Sequence, residues 1–168
     1  KRLTLLQMDV HVNDVEYNYN RVQELLTQSL TENPDIIILP ETWNTGFHPS
    51  DDLITIADRN GERTKSLLTA FAKEHNVNIV GGSVAVAKDD LVFNTSYAYN
   101  REGTLVGEYS KMHGFSPAKE DKYFASGTHT THFKLDGIPC STVICYDIRF
   151  PELVRMAALP GTELLFVP

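Results

Sequence analysis

An α/β fold is predicted by three features of the sequence: apolar runs of strand length, helical segments between them, and a short hairpin that makes the sheet mixed. The first unit is LTLLQMDV, then a helix from about Val15 to Leu30, then DIIILP. Val15, Tyr19, Val22, Leu26 and Leu30 recur at three- and four-residue steps, so the helix carries one apolar stripe between two strands. That is a βαβ pattern, and the apolar character of both strands predicts burial on both faces.

A second helix is expected over Glu62 to His75, with Leu67, Leu68, Phe71 and Ala72 on its inner side, leading into the strand VNIVGGSVAV. Gly81 and Gly82 inside that strand mark a bulge or a close backbone approach. LVFNTSYAYN and LVGEYSKM follow, joined through Arg101, Glu102 and Gly103, which reads as an antiparallel hairpin. The stretch from His113 to Thr131 is polar and irregular. Strands HFKLD and IPCSTVICYD then flank Gly137, and a helix starts at Pro151, where the missing N–H of proline is tolerated, and runs to about Ala158. The last residues, ELLFVP, have the composition of a buried strand, so the sequence reads as a C-terminally incomplete piece.

The 168 residues, 42% of them apolar, are enough for one domain with a sizeable core, taken as residues 1–168. A net charge of -7 with no basic stripe argues against nucleic acid. No apolar run approaches the roughly 20 residues needed to span a bilayer, which points to a soluble cytoplasmic protein. Cys140 and Cys145 share one expected strand, where their separation spans about 16 Å. A disulfide needs Cα atoms within about 7 Å, so they are read as free thiols. Neither a zinc site nor any other metal or cofactor motif is evident.

Three strand ends carry reactive side chains. Cys145 ends an apolar strand just before a helix, an elbow-like setting in which helix N–H groups and the dipole would favour a thiolate and a developing oxyanion. A lone cysteine in such a strand reads first as a core residue. Glu41 follows DIIILP directly, where α/β sheets commonly present functional groups, and Lys111 ends LVGEYSKM beside Tyr109, Met112 and His113. Each alone also reads as a solvated surface charge. Together an acid, an amine and a thiol supply the parts for acyl transfer through a covalent thioester.

The segments LPETWNTGF, YSKMHGF and ICYDIRFPEL closely resemble, in order, the three motifs of the nitrilase superfamily of carbon-nitrogen hydrolases, and the intervening elements match across essentially the whole chain. The resemblance implies an α-β-β-α sandwich of mixed sheets with helices on the outer faces, assembling as a homodimer or higher homo-oligomer and needing no cofactor. It implies Cys145 as nucleophile, Glu41 as general base and acid, Lys111 as the cation facing the oxyanion, and the backbone N–H of Tyr146 as the second oxyanion donor. AKEDKYFASG resembles the loop in which many members carry a second glutamate, which makes Glu120 the candidate and Asp121 the fallback. A solvated charge cluster with Lys119 and Lys122 is the competing reading of that loop.

Arg149 is a candidate for holding a substrate carboxylate, or else an ion-pair partner of Asp147 or Glu152. Trp43, Phe47 and Tyr146 are candidate pocket walls. The activity so implied is hydrolysis of a small linear amide, leaning to the ω-amidase branch. Nitrile or N-carbamoyl hydrolysis would use the same residues. Two further readings are a cysteine-histidine hydrolase using His113 and a non-catalytic member of the fold. Family members extend beyond the equivalent of Pro168, and many have a larger apolar residue in place of Gly114.

Overall fold

The computed structural model describes residues 1–47 and 49–168. Its strands are β1 (Leu3–Leu5), β2 (Ile36–Ile38), β3 (Asp58–Arg59), β4 (Asn78–Val80), β5 (Val84–Lys88), β6 (Leu91–Tyr99), β7 (Leu105–Ser110), β8 (Thr131–Leu135), β9 (Ile138–Thr142) and β10 (Leu164–Phe166). Its helices are α1 (Val15–Ser29), α2 (Leu53–Ile56), α3 (Glu62–His75), α4 (Glu120–Tyr123) and α5 (Pro151–Ala158).

The first sheet joins β1, β2 and β4 in parallel, then turns antiparallel at β6. One side of β6 pairs with β4 through Tyr99 and Ala98 and with β5 from Thr95 to Leu91; the other side pairs with β7. The segment VNIVGGSVAV is therefore two strands interrupted at Gly81–Ser83, both lying along β6. The second sheet has β9 in the middle, antiparallel to β8 and parallel to β10.

Amphipathicity decides the layering. Tyr19, Val22 and Leu26 of α1 and Leu68, Phe71 and Ala72 of α3 pack with Ile37, Ile79 and Val84 on one face of the first sheet. Ile36, Val80 and Ala98, alternating with those residues along the strands, face Phe133, Leu135, Cys140 and Phe166 of the second sheet. The outer face of the second sheet is covered by Leu153 and Ala157 of α5 against Val143. The layers are helix, sheet, sheet, helix, as expected.

Caps set the helix ends: Asp14 accepts from the N–H of Tyr17 at 3.1 Å, and Asn76 takes a left-handed conformation after α3. Three details differ from the sequence reading. The first strand stops at Leu5, and the last ladder of β9 stops at Thr142, short of Cys145. The short elements α2, β3 and α4 were not expected, because four residues or fewer leave no readable period. Among the described residues no helix is long and apolar enough to cross a membrane.

Candidate active site

Glu41 leaves the end of β2 in a turn shaped by its neighbours. Ser83 donates its N–H to the Pro40 carbonyl at 3.0 Å, accepts the Thr42 N–H on its hydroxyl at 2.9 Å, and accepts the Trp43 N–H on its carbonyl at 3.1 Å. Thr42 is held in the left-handed region at φ 42°. A side chain at Gly82, itself at φ +60°, would come within 2.0 Å of the Pro40 oxygen, so the close approach expected at the glycine pair is what seats the Glu41 turn. Lys111 follows β7 and donates its own N–H to the Asn94 carbonyl on β6 at 2.9 Å. Cys145 sits beyond β9 at φ 43°, a strained conformation for a non-glycine residue and one that turns a nucleophile out of the sheet.

These turns bring four polar side chains together. The Lys111 ammonium donates to Glu41 Oε1 at 2.8 Å and to Glu120 Oε2 at 2.8 Å. The Asn94 amide nitrogen donates to Glu41 Oε1 at 3.0 Å and to Glu120 Oε1 at 3.1 Å, and the Phe115 N–H donates to Glu120 Oε2 at 2.7 Å. Lys111 and Glu120 are buried, while the Glu41 side chain keeps 17% of its surface. Burial by itself disfavours the Lys111 ammonium, but the two carboxylates outweigh it and hold the pKa above the ordinary lysine value. Phe47 lies beside the cluster, its ring centre 5.7 Å from the Lys111 nitrogen.

The Cys145 thiol faces the acidic part of this cluster. Its pKa is pushed up to about 11, first by desolvation and next by the charge and hydrogen bond of Glu41, with Lys111 pulling the other way. Desolvation and Glu41 thus favour the thiol over the thiolate. This corrects the expectation of a dipole-stabilised thiolate: residues Cys145–Arg149 form a 3-10 turn, and α5 begins only at Pro151.

A second buried acid fixes the cysteine turn. Asp147 accepts from the Tyr109 hydroxyl at 2.6 Å, from the His113 N–H at 2.9 Å and from the Ile144 N–H at 3.1 Å, and it bonds the His113 ring at Nδ1 at 2.9 Å. The elbow is thereby tied to the strand and loop that carry Lys111. Burial, reinforced by Asp147, holds the Tyr109 phenol far above its ordinary pKa, so it stays a donor. His113 stacks on Phe150 at 3.6 Å, and the Tyr146 ring packs between Phe115 and Phe150, at 5.0 and 5.6 Å. These rings form one aromatic cluster that includes Tyr146, the residue after Cys145.

Residues 2–168 match the carbon-nitrogen hydrolase family. The chain belongs to this family. It is 38% identical to the 2-oxoglutaramate amidase of Bacillus subtilis over 165 residues, covering 98% of this chain and 63% of that protein. A second relative, described as a hydrolase in the agr operon of Staphylococcus aureus, is 30% identical over 98% of this chain and 64% of its own length. The chain thus spans a little under two thirds of these relatives. The crystal structure of an amidase from Nesterenkonia sp. superposes with a TM-score of 0.88 over 99% of this chain and 64% of that one, at 23% identity, which shows a shared fold.

Within this carbon-nitrogen hydrolase fold, Glu41, Lys111, Glu120 and Cys145 converge, and the fallback Asp121 is exposed outside the cluster. Trp43 is not a pocket wall. It is fully buried against Tyr19 and donates its indole N–H to the Gly81 carbonyl at 2.9 Å. Arg149 is exposed and, among the described residues, pairs with neither Asp147 nor Glu152, since Asp147 is taken by Tyr109, His113 and Ile144. His113 is engaged by Asp147 and Phe150, and the ionisable groups acting on the thiol are Glu41, Lys111 and Glu120, so the cysteine-histidine reading gains no support. At Gly114 a side chain would meet the Asp121 backbone at 3.1 Å, so a larger residue there would require the loop to give by a few tenths of an ångström.

Asn94, Asp147 and Ser83 were missed as site residues. The available signals were an asparagine in the middle of an apolar strand, an acid two residues past Cys145, and a serine after a glycine pair. Among the described residues no group of three or more His, Cys, Asp or Glu is arranged to hold a metal ion.

Proposed function

We propose that the full-length protein hydrolyses the carbon-nitrogen bond of a small linear amide through a thioester on Cys145. The observation that carries this reading is the Cys145 thiol hydrogen-bonded to a carboxylate whose other contacts are a buried ammonium and an amide. Glu41 takes the thiol proton as sulfur attacks the amide carbon. Charge then develops on the carbonyl oxygen, stabilised by Lys111 and the Tyr146 N–H. Collapse breaks the C–N bond while Glu41 returns the proton to nitrogen, releasing ammonia. Water enters, gives its proton to Glu41 and attacks the thioester carbon; the C–S bond breaks, the sulfur regains the proton, and the carboxylic acid leaves.

Glu120 has three donors on its two oxygens, which suits a fixed charge that holds Lys111 rather than a proton carrier. Arg149, exposed and without an ion-pair partner among the described residues, is available for a distal carboxylate, and Phe47 and Tyr146 would flank the acyl chain. An ω-amide of a dicarboxylic acid fits that set. The Bacillus relative's 2-oxoglutaramate is such an amide. Assembly as a homodimer and a cytoplasmic location complete the proposal.

Ammonia release by the full-length protein from ω-amides, nitriles and N-carbamoyl compounds, with Cys145→Ala in parallel, tests it. Release from an ω-amide that disappears in the variant is the expected result. Release from nitriles or N-carbamoyl compounds alone moves the substrate class, and release that survives Cys145→Ala overturns the mechanism.

A further inference from the structure

Asn94 contacts three of the groups just described. Its carbonyl accepts the Lys111 N–H at 2.9 Å, and its side-chain nitrogen donates to Glu41 Oε1 at 3.0 Å and Glu120 Oε1 at 3.1 Å. The side chain is buried on the central strand β6, and its own oxygen has no partner among the described residues. The amide orientation follows from chemistry: both groups it faces are carboxylates, so only the NH2 end can point at them. Leaving a buried carbonyl oxygen unpartnered is unfavourable, and the arrangement persists because two charge-assisted bonds replace it.

The consequence concerns Glu41. Its Oε1 receives both Lys111 and Asn94, whereas among the described residues no N–H donor reaches Oε2, and the Cys145 thiol hydrogen-bonds this carboxylate. We propose that Asn94 is a positioning residue for the reaction: with Lys111 it occupies Oε1 of Glu41, leaves Oε2 as the oxygen that exchanges protons with Cys145, and sets the pH at which that oxygen becomes a base. This rests on Glu41 acting as the base. Two carboxylates share a single ammonium here, so the cluster carries an excess negative charge. Two amide N–H bonds offset that excess without adding a cation that would quench the base.

The test needs no knowledge of the natural substrate. The rate of Cys145 alkylation by iodoacetamide is followed against pH in the full-length protein, for the wild type, Asn94→Ala, Asn94→Ser, Glu41→Gln and Cys145→Ala, with folding checked by circular dichroism. The wild type is expected to lose reactivity as Glu41 protonates on the acid side. Removing a donor destabilises the ionised carboxylate, so in Asn94→Ala this acid inflection moves to higher pH by about one unit and the rate on the acid limb falls about tenfold. Asn94→Ser, which retains one hydroxyl donor, lies between and is the variant read if alanine impairs folding. A purely structural role would lower the rate at every pH and leave the inflection in place, and that result overturns the proposal. An acid inflection that persists in Glu41→Gln overturns the general-base reading instead, whatever the Asn94 variants do.

Discussion

Lys111 between Glu41 and Glu120, and Arg101 between Asp35 and Asp136, are the same device of one cation held by two carboxylates, once inside the protein and once at its surface. The distances hardly differ: Lys111 is 2.8 Å from each acid, and Arg101 is 2.8 Å from Asp35 and 2.7 Å from Asp136. Their surroundings do. The Lys111 and Glu120 side chains are 2% and 0% exposed, against 23%, 33% and 17% for Arg101, Asp35 and Asp136. At the surface water shares the work, and Arg101 ties the end of α3, through the Asn76 carbonyl, to the turn between β8 and β9. Inside, desolvation opposes every charge, so a stability role alone is a poor explanation for the cluster. A buried cation between two acids, with a thiol beside one of them, makes sense as machinery.

The sharpest way to break this contrast is Lys111→Met. Two carboxylates would then face each other without a counter-charge, and chemical denaturation should show a loss of about 3–5 kcal/mol, as for other buried pairs broken on one side. Under the proposed mechanism, amide turnover should fall by at least about a hundredfold, since the oxyanion would lose its cation. A stable, active Lys111→Met would end the machinery reading.

Glu120→Gln probes the internal balance more gently. It removes the excess negative charge, so Glu41 is left with Lys111 to itself and becomes a weaker base. The acid limb of the rate should shift to lower pH, opposite to Asn94→Ala, with turnover reduced about tenfold to a hundredfold. A shift to higher pH would mean that Glu120, not Glu41, is the proton carrier.

Arg101→Ala should behave as a surface change. A loss of about 1 kcal/mol or less, or about 2–4 °C in melting temperature, is expected with turnover unchanged. The smallest effect is on acid stability. Arg101, with Lys1, holds the Asp136 carboxyl below its ordinary range, and the Arg2 N–H, with Lys1 and Arg101, does so for Asp35. A depressed folded pKa contributes stability that is present above the unfolded value of about 4 and is lost as pH falls through the lower folded value. Melting temperature in the wild type should therefore drop below about pH 4 more steeply than in Arg101→Ala. Parallel curves would remove the surface cluster from the account of stability.

Local pattern determined much of this protein. The stripe from Val15 to Leu30 needs only the 3.6-residue period to place α1, and Glu62 to His75 reads the same way, with ends that match the observed helix. Resemblance to the family's motifs singled out Glu41, Lys111 and Cys145, and left Glu120 and Asp121 as alternatives for a further acid, because each motif is a short local segment. What tertiary structure decided was the company these residues keep. Trp43 reads as a wall beside Glu41 but turns inward, since alternation past a left-handed Thr42 cannot be followed from sequence. Glu120 and Asp121 are neighbours of equal charge, and only the fold chooses which is desolvated beside Lys111. Asn94 lies 53 residues from Glu41 and 26 from Glu120, so its two bonds exist only once β6 is seated in the middle of the sheet. Periodicity carries information over one or two turns of chain, whereas hydrogen bonds and burial between distant segments depend on how the strands are ordered in space.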